Sequence, residues 1–549
     1  YTPFPPVQNA GGGGGKGQKK ERGFSMKKAM KKLMAALLAV AMVCAMAIPA
    51  FAYDTEEVRA HHSFEAFQIF KGNVNDASEI SNVEWGSNIT NYKDFLEKLT
   101  KDPTIGGEFK TNFTAQEAVA VISKWHDSDN NSIAFARFVC HYLYSGAVDR
   151  GVSIPGAGDM VTIPINKAGY YLIVDITDFK PGDSYHAYNS FLLNVTKDNF
   201  NLQIKPKFVK PTVEKKVYDN DDNGWGSSAD HAINEKFQFQ LIAKLPASPD
   251  PAYDYRAYDY YDKYTVCFND TLSDGITFDK LDTVEITNGD GSTPQEITEG
   301  NYTLEKDGSQ SFKLSIDNVK NYVPNLNKGA TITVTYTAHL NDKAAVNTAD
   351  GASNGENKNS VYLQYSNNPR INTSLDQTPE SKVRVYTYQL NNTKYHDDDT
   401  PGNELAGAGF RLYSAKTCND TEEIKLKKNA DGTYSRYFGT EDGEEMFSDD
   451  KGQFNVKGLD AGTYYLRETT TPKDYSACPD TTIVISATHD VDHVSLSGNL
   501  NNKIINKKAG GITLPSTGGI GTTIFYVVGG GLMVAAIVLL VTKKRMENK

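Results

Sequence analysis

Two sets of polar residues stand where strand alternation would turn them into a protein interior. Side chains on a strand point to opposite faces in turn. Leu390, Asn392 and Lys394 therefore share a face, as do Tyr464, Leu466 and Glu468, and as do Ile504 and Asn506. In a second set Lys215 falls in phase with Val213 and Val217, which selects it over Lys216, and Asn359 falls in phase with Val361, Leu363 and Tyr365. A lone buried charge is costly, and a lysine beside an acid is relieved by becoming a neutral amine beside a protonated carboxyl. A neutral amine is a nucleophile. Taken by themselves, both sets read equally as buried ion pairs or as exposed polar residues at strand ends.

Positioning such groups requires strands, and the chain supplies them. Residues 53–208 have a mixed pattern: Thr114–Trp125 and Ile133–Tyr144 carry helical apolar spacing, while Gly169–Ile176 and Tyr188–Ile204 read as strands. Residues 209–378 are β-rich, as in Thr331-Ile332-Thr333-Val334-Thr335-Tyr336, and residues 379–511 are short strands between Gly, Asn and Asp turns. The expectation is a mainly β protein of tandem immunoglobulin-like sandwiches behind a mixed α+β N-terminal domain.

Both ends point to export. Met26 opens a lysine-rich stretch, then an apolar run from Leu33 to Ile48 and Ala50-Phe51-Ala52, so residues 26–52 are expected to be a signal peptide cut after Ala52. Residues 1–25 are expected to be translated upstream sequence or a disordered Gly-rich leader. Near the other end, Leu514-Pro515-Ser516-Thr517-Gly518 precedes an apolar run, Thr523 to Val541, and then Lys543-Lys544-Arg545. That run suits one membrane helix, with the basic cluster on the cytoplasmic side. Pro515 keeps the pentapeptide extended. An ordinary tail anchor is the plainer alternative.

Residues 1–52 and 518–549 together carry twelve basic and two acidic residues, so the stretch between them has a net charge of −21 against −11 overall. Nucleic acid is excluded as a partner on that balance. Cys140, Cys267, Cys418 and Cys478 remain, without a CxxC. They form no disulfide framework; Cys418 and Cys478 could pair, but isolated thiols are expected. Asp219, Asp221, Asn223, Gly224 and Asp230 have the spacing of a calcium loop, which a plain Asn/Asp/Gly turn explains better, so no metal is assigned. No HExxH, GxSxG, Walker or dinucleotide motif occurs, and no cofactor or enzyme activity is expected.

The order of LPSTG, apolar run and basic tail in residues 512–549 resembles the cell-wall sorting signal of Gram-positive surface proteins, whose LPxTG motif is read by sortase. Leu405-Ala406-Gly407-Ala408-Gly409-Phe410-Arg411-Leu412-Tyr413 resembles the Cna-B type domain, and Gly462-Thr463-Tyr464-Tyr465-Leu466-Arg467-Glu468-Thr469 the E-box of pilins. Residues 210–217, Asn269-Asp270-Thr271-Leu272-Ser273 and 359–365 resemble the isopeptide-forming second domain of fimbrial major subunits. Together these resemble the sortase-assembled backbone pilins of the SpaA or FimA type.

The resemblance implies an amide bond between Lys394 and Asn506 with Glu468 as proton shuttle, polarising the carboxamide, and another between Lys215 and Asn359 with Asp270. Each bond would join the first and last strands of its domain. It further implies that a sortase cysteine attacks the Thr517 carbonyl and releases Gly518, and that an amine resolves the thioacyl intermediate. Leu202-Gln203-Ile204-Lys205-Pro206-Lys207 resembles the second half of the pilin motif WxxxVxVYPK, with Asp198 at the Trp position. Lys207 is the expected acceptor, and Lys205 and Lys210 are its rivals. The implied partners are identical subunits, sortase, peptidoglycan, minor pilins and host surface molecules; the implied location is the cell wall and its pili. The same domains would also serve a wall-anchored adhesin or tip subunit.

Overall fold

The computed structural model describes residues 64–74, 80–126, 129–145, 161–177, 190–198, 200–204, 210–221, 223–247, 257–349, 353 and 355–509. The leader, the signal segment, Lys205, Lys207, the LPSTG motif and the apolar run at 523–541 lie outside them. Among the described residues no helix is long and apolar enough to cross a membrane. The fold is mainly β and divides into two compact units.

In the first unit an antiparallel sheet runs Ile80–Trp85, Phe64–Val74, Gly169–Asp175, Phe191–Val195, beside a separate pair, Val161–Ile165 with Phe200–Ile204. The single strand expected over residues 188–204 is thus two strands in different sheets, because Thr196, Lys197 and Asp198 turn the chain between them. Asp198 fixes that turn by accepting from the Ala168 backbone at 2.9 Å and pairing with Lys167 at 3.1 Å. Among the described residues three α-helices, Tyr92–Leu99, Ala115–Ile122 and Asn130–Ser145, accompany the sheet. Asn91 caps the first, and Thr114 with Glu117 forms a capping box on the second.

The second unit holds two β-sandwiches, each with its own core. In the earlier one, the strand Lys236–Leu245 shows the principle: Phe237, Phe239, Leu241, Ala243 and Leu245 are buried and the residues between them are not. It pairs with Thr212–Asp219 on one side, Leu241 opposite Lys215, and with Ala330–Leu340 on the other, Phe239 opposite Tyr336. The facing sheet contains Val266–Leu272 next to Lys358–Ser366, with Leu272 opposite Asn359.

In the later sandwich the first strand, Tyr388–His396, lies parallel to the last, Asn501–Lys508, with Lys394 opposite Ile504 and His396 opposite Asn506. The facing sheet carries Gly462–Thr470 between Gly409–Tyr413 and Thr481–His489. The two sandwiches share a backbone hydrogen bond, Ile233 N to Gly458 O at 2.9 Å. Gly458 has φ +75°, and a Cβ there would meet the Ile233 side chain at 2.3 Å, so this approach needs glycine.

Candidate functional site

Strand phase brings both lysines inside. Lys215 is 2% exposed and Lys394 fully buried, whereas Lys216 stays half-buried and pairs with Glu214 at 3.4 Å. Each buried lysine meets a carboxamide and an acid, but the two arrangements differ.

In the earlier sandwich Lys215 projects from one sheet, and Asp270 and Asn359 from the other. Lys215 Nζ contacts Asp270 Oδ2 and donates to the Tyr336 hydroxyl at 3.1 Å. The same hydroxyl donates to Asp270 Oδ1 at 3.0 Å and accepts from Asn359 Nδ2 at 2.6 Å. Tyr336 is therefore the hub that holds amine, acid and amide together. Sequence reasoning passed over it. Its inward phase with Ile332 and Val334 was legible, and a fully buried phenol needs a polar partner. Asn359 Oδ1 is buried without a hydrogen-bond partner. Burial pulls the Lys215 ammonium down to about 8, with Asp270 offsetting part of the effect, and burial raises the Asp270 carboxyl. The rings of Phe239 and Tyr336 lie 5.4 Å from the amine.

The strand bearing Asn359 is not the last of its sandwich. Leu375–Gln377 and Ser381–Tyr386 follow it and pair beside it. A Lys215–Asn359 link would therefore tie the first strand to an inner strand across the two sheets, contrary to the first-to-last expectation.

In the later sandwich Lys394 and Asn506 come from adjacent parallel strands, and Glu468 reaches them from the facing sheet. Lys394 Nζ donates to Asn506 Oδ1 at 2.5 Å, and Asn506 Nδ2 donates to Glu468 Oε1 at 2.7 Å. Glu468 Oε2 lies 3.8 Å from Lys394 and accepts from the Cys478 backbone at 2.8 Å. Held by that backbone group, Glu468 meets the carboxamide it was expected to polarise at its nitrogen. Asn392, in the same inward phase, is engaged by the Phe454 carbonyl and by Asn502. Burial lowers the Lys394 ammonium, with Cys478 and Glu468 offsetting part of it; burial also pushes the half-buried Cys478 thiol up to about 12. Cys478 was missed as a neighbour of this site because it sits in a loop, where strand phase says nothing. It is a free thiol, as are Cys267 and Cys418.

Lys210 is exposed. Lys205, Lys207, Leu514, Pro515, Thr517 and Gly518 fall outside the described residues.

Residues 391–499 match the SpaA family, a prealbumin-like fold domain, and residues 506–548 match the LPXTG cell wall anchor motif. The later sandwich is thus a SpaA-type domain, followed by a cell-wall anchor. No curated protein matches the chain. Among solved structures, the chain is similar to the pilus 2b backbone protein of group B streptococcus, at 23% identity over 55% of this chain and 98% of that one, TM-score 0.37. It is similar to the T6 backbone pilin of Streptococcus pyogenes serotype M6, at 15% identity over 82% and 97%, TM-score 0.44. It is also similar to the full-length major pilin SpaD of Corynebacterium diphtheriae, at 17% identity over 85% and 95%, TM-score 0.37.

Proposed function

We propose that this wall-anchored chain is the shaft subunit of a covalent surface pilus, cross-linked inside its sandwiches and joined head to tail by sortase. The observation that carries the reading is the pair of buried lysine–carboxamide–acid trios in a chain that ends in a cell-wall anchor. The chain is a structural subunit and the substrate of an enzyme, and the internal bonds form once.

In each trio the neutral lysine amine attacks the Asn Cγ. The Nζ–Cγ bond forms, the Cγ–Nδ2 bond breaks, and the proton shed by the amine passes through the carboxyl to the departing nitrogen, which leaves as ammonia. Glu468 stands at that nitrogen in the later sandwich. In the earlier one the Tyr336 hydroxyl links Asp270 to it. The resulting amide is indifferent to redox and carries tension that would otherwise fall on hydrogen bonds.

Between subunits, the Thr517 carbonyl would be transferred through a sortase thioacyl intermediate to Lys207 of the next subunit, with Gly518 as the leaving amine. Lys205 and Lys210 stand close enough in sequence to compete. The membrane run would hold the precursor until transfer, and the final acceptor at the base would be a peptidoglycan precursor amine. Minor pilins and host surface molecules are the remaining expected partners.

Boiling surface extracts in denaturant tests this. A shaft gives a ladder of high-mass species whose digest contains Thr517 joined to Lys207. A single band, with Thr517 found only on wall peptide, would make the chain an anchored adhesin instead.

A further inference from the structure

A second cluster lies where the two sandwiches of the second unit meet, away from both trios. Asp219 ends the strand Thr212–Asp219, and Asp230 ends the short strand Ser228–Asp230. His489 ends the strand Thr481–His489 of the later sandwich. The chelating atoms of these three side chains lie within 4.8 Å of one another. His489 Nε2 is 3.6 Å from Asp219 Oδ2 and 3.5 Å from Asp230 Oδ1. Donors about 2.1 Å from a tetrahedral ion stand roughly 3.4 Å apart, so this spacing fits three corners of such a shell.

Two further observations point to a cation. Asp230 is 2% exposed, and its Oδ2 makes no hydrogen bond of regular geometry, with the buried Tyr388 hydroxyl as its polar neighbour. A buried carboxylate oxygen left so is expensive unless something positive meets it. His489 Nδ1 lies 2.9 Å from Ser228 Oγ. With the ring proton on Nδ1 and donated to that hydroxyl, Nε2 presents its lone pair toward the two aspartates, which is the usual support of a metal-bound histidine. Asp460, 5% exposed, has a carboxylate oxygen within 4.8 Å of Asp230 and Asp221.

We propose that Asp219, Asp230 and His489 bind a divalent transition-metal ion, zinc by its donor set, and that the ion pins the later sandwich to the earlier one. One nitrogen and two carboxylates suit zinc; calcium prefers six to eight oxygens. The site departs from the turn at 219–230 by recruiting a ligand from the other sandwich and by leaving out Asn223 and Gly224. It is independent of the amide bonds.

The test uses the full chain, stripped with a chelator and titrated separately with zinc, manganese and calcium. Elemental analysis should find one zinc per chain, and calorimetry a saturable event that millimolar calcium does not displace. His489→Ala and Asp230→Asn should each weaken it at least tenfold, thermal melting serving as the check that they fold. Absence of stoichiometric zinc, zinc binding unchanged in both variants, or displacement by calcium would overturn the assignment. If neither variant folds, X-ray absorption of the zinc-loaded parent decides. One imidazole nitrogen with carboxylate oxygens supports the site, and a shell containing sulfur, or oxygen alone, contradicts it.

Discussion

The two buried trios place the same three chemical groups by different means. In the later sandwich, neighbouring parallel strands bring Lys394 onto the Asn506 carbonyl, and Glu468 meets the amide nitrogen directly. In the earlier one, amine and carboxamide come from opposite sheets, and a fourth residue, Tyr336, touches all three groups. What the pair shares is a fully enclosed lysine beside an acid, with burial moving each ammonium downward. The proposed chemistry needs that enclosure, and two different strand arrangements provide it.

The largest expected effect comes from removing the acid. Glu468→Ala leaves Lys394 buried without its charge partner, costing on the order of 3–5 kcal/mol, and prevents the bond. Denaturant unfolding should show the later sandwich melting first; an unaltered midpoint would mean the trio contributes nothing there. Lys215→Met removes the charge together with the bond, so only the cross-link is lost. Closing so long a loop is worth about 4–5 kcal/mol by entropy, and the earlier sandwich alone should weaken.

Tyr336→Phe separates the two designs. It strips a partner from Lys215, Asp270 and Asn359, at about 1–3 kcal/mol, and should slow bond formation in the earlier sandwich without touching the later one. Equal rates before and after would reduce Tyr336 to packing. The pH dependence sharpens this further. When newly made, unlinked chain first folds, ammonia release from the earlier sandwich should rise with pH as Lys215 loses its proton and level off above about 8. A rate that falls over that range would place the controlling titration elsewhere. The smallest effect belongs to Cys478→Ala, where a shift of about 0.5 kcal/mol is expected in the melting of the later sandwich.

Much of this was legible from strand phase. Alternation alone chose Lys215 over Lys216 and put Lys394, Glu468, Asn506 and Asn359 inside, because one face of each strand is apolar. It could not supply register, so the parallel pairing of Lys394 with Ile504 was not foreseen, nor that Asn359 lies on an inner strand. Tyr336 was hidden because an aromatic in phase reads as core whatever its hydroxyl does. The helix Tyr92–Leu99 was missed because Lys93, Asp94, Glu97 and Lys98 make half of it charged and leave Phe95, Leu96 and Leu99 as its buried face. His489 gave no signal, since its partners Asp219 and Asp230 are distant in sequence and belong to another sandwich.

The most direct test is the intact mass of the folded chain, followed by peptide mapping. The account predicts a deficit of about 34 Da, one ammonia of about 17 Da for each of two bonds, with Lys215 joined to Asn359 and Lys394 to Asn506 in the digest. A mass equal to that of the unmodified sequence would contradict it and leave both trios as buried ion pairs.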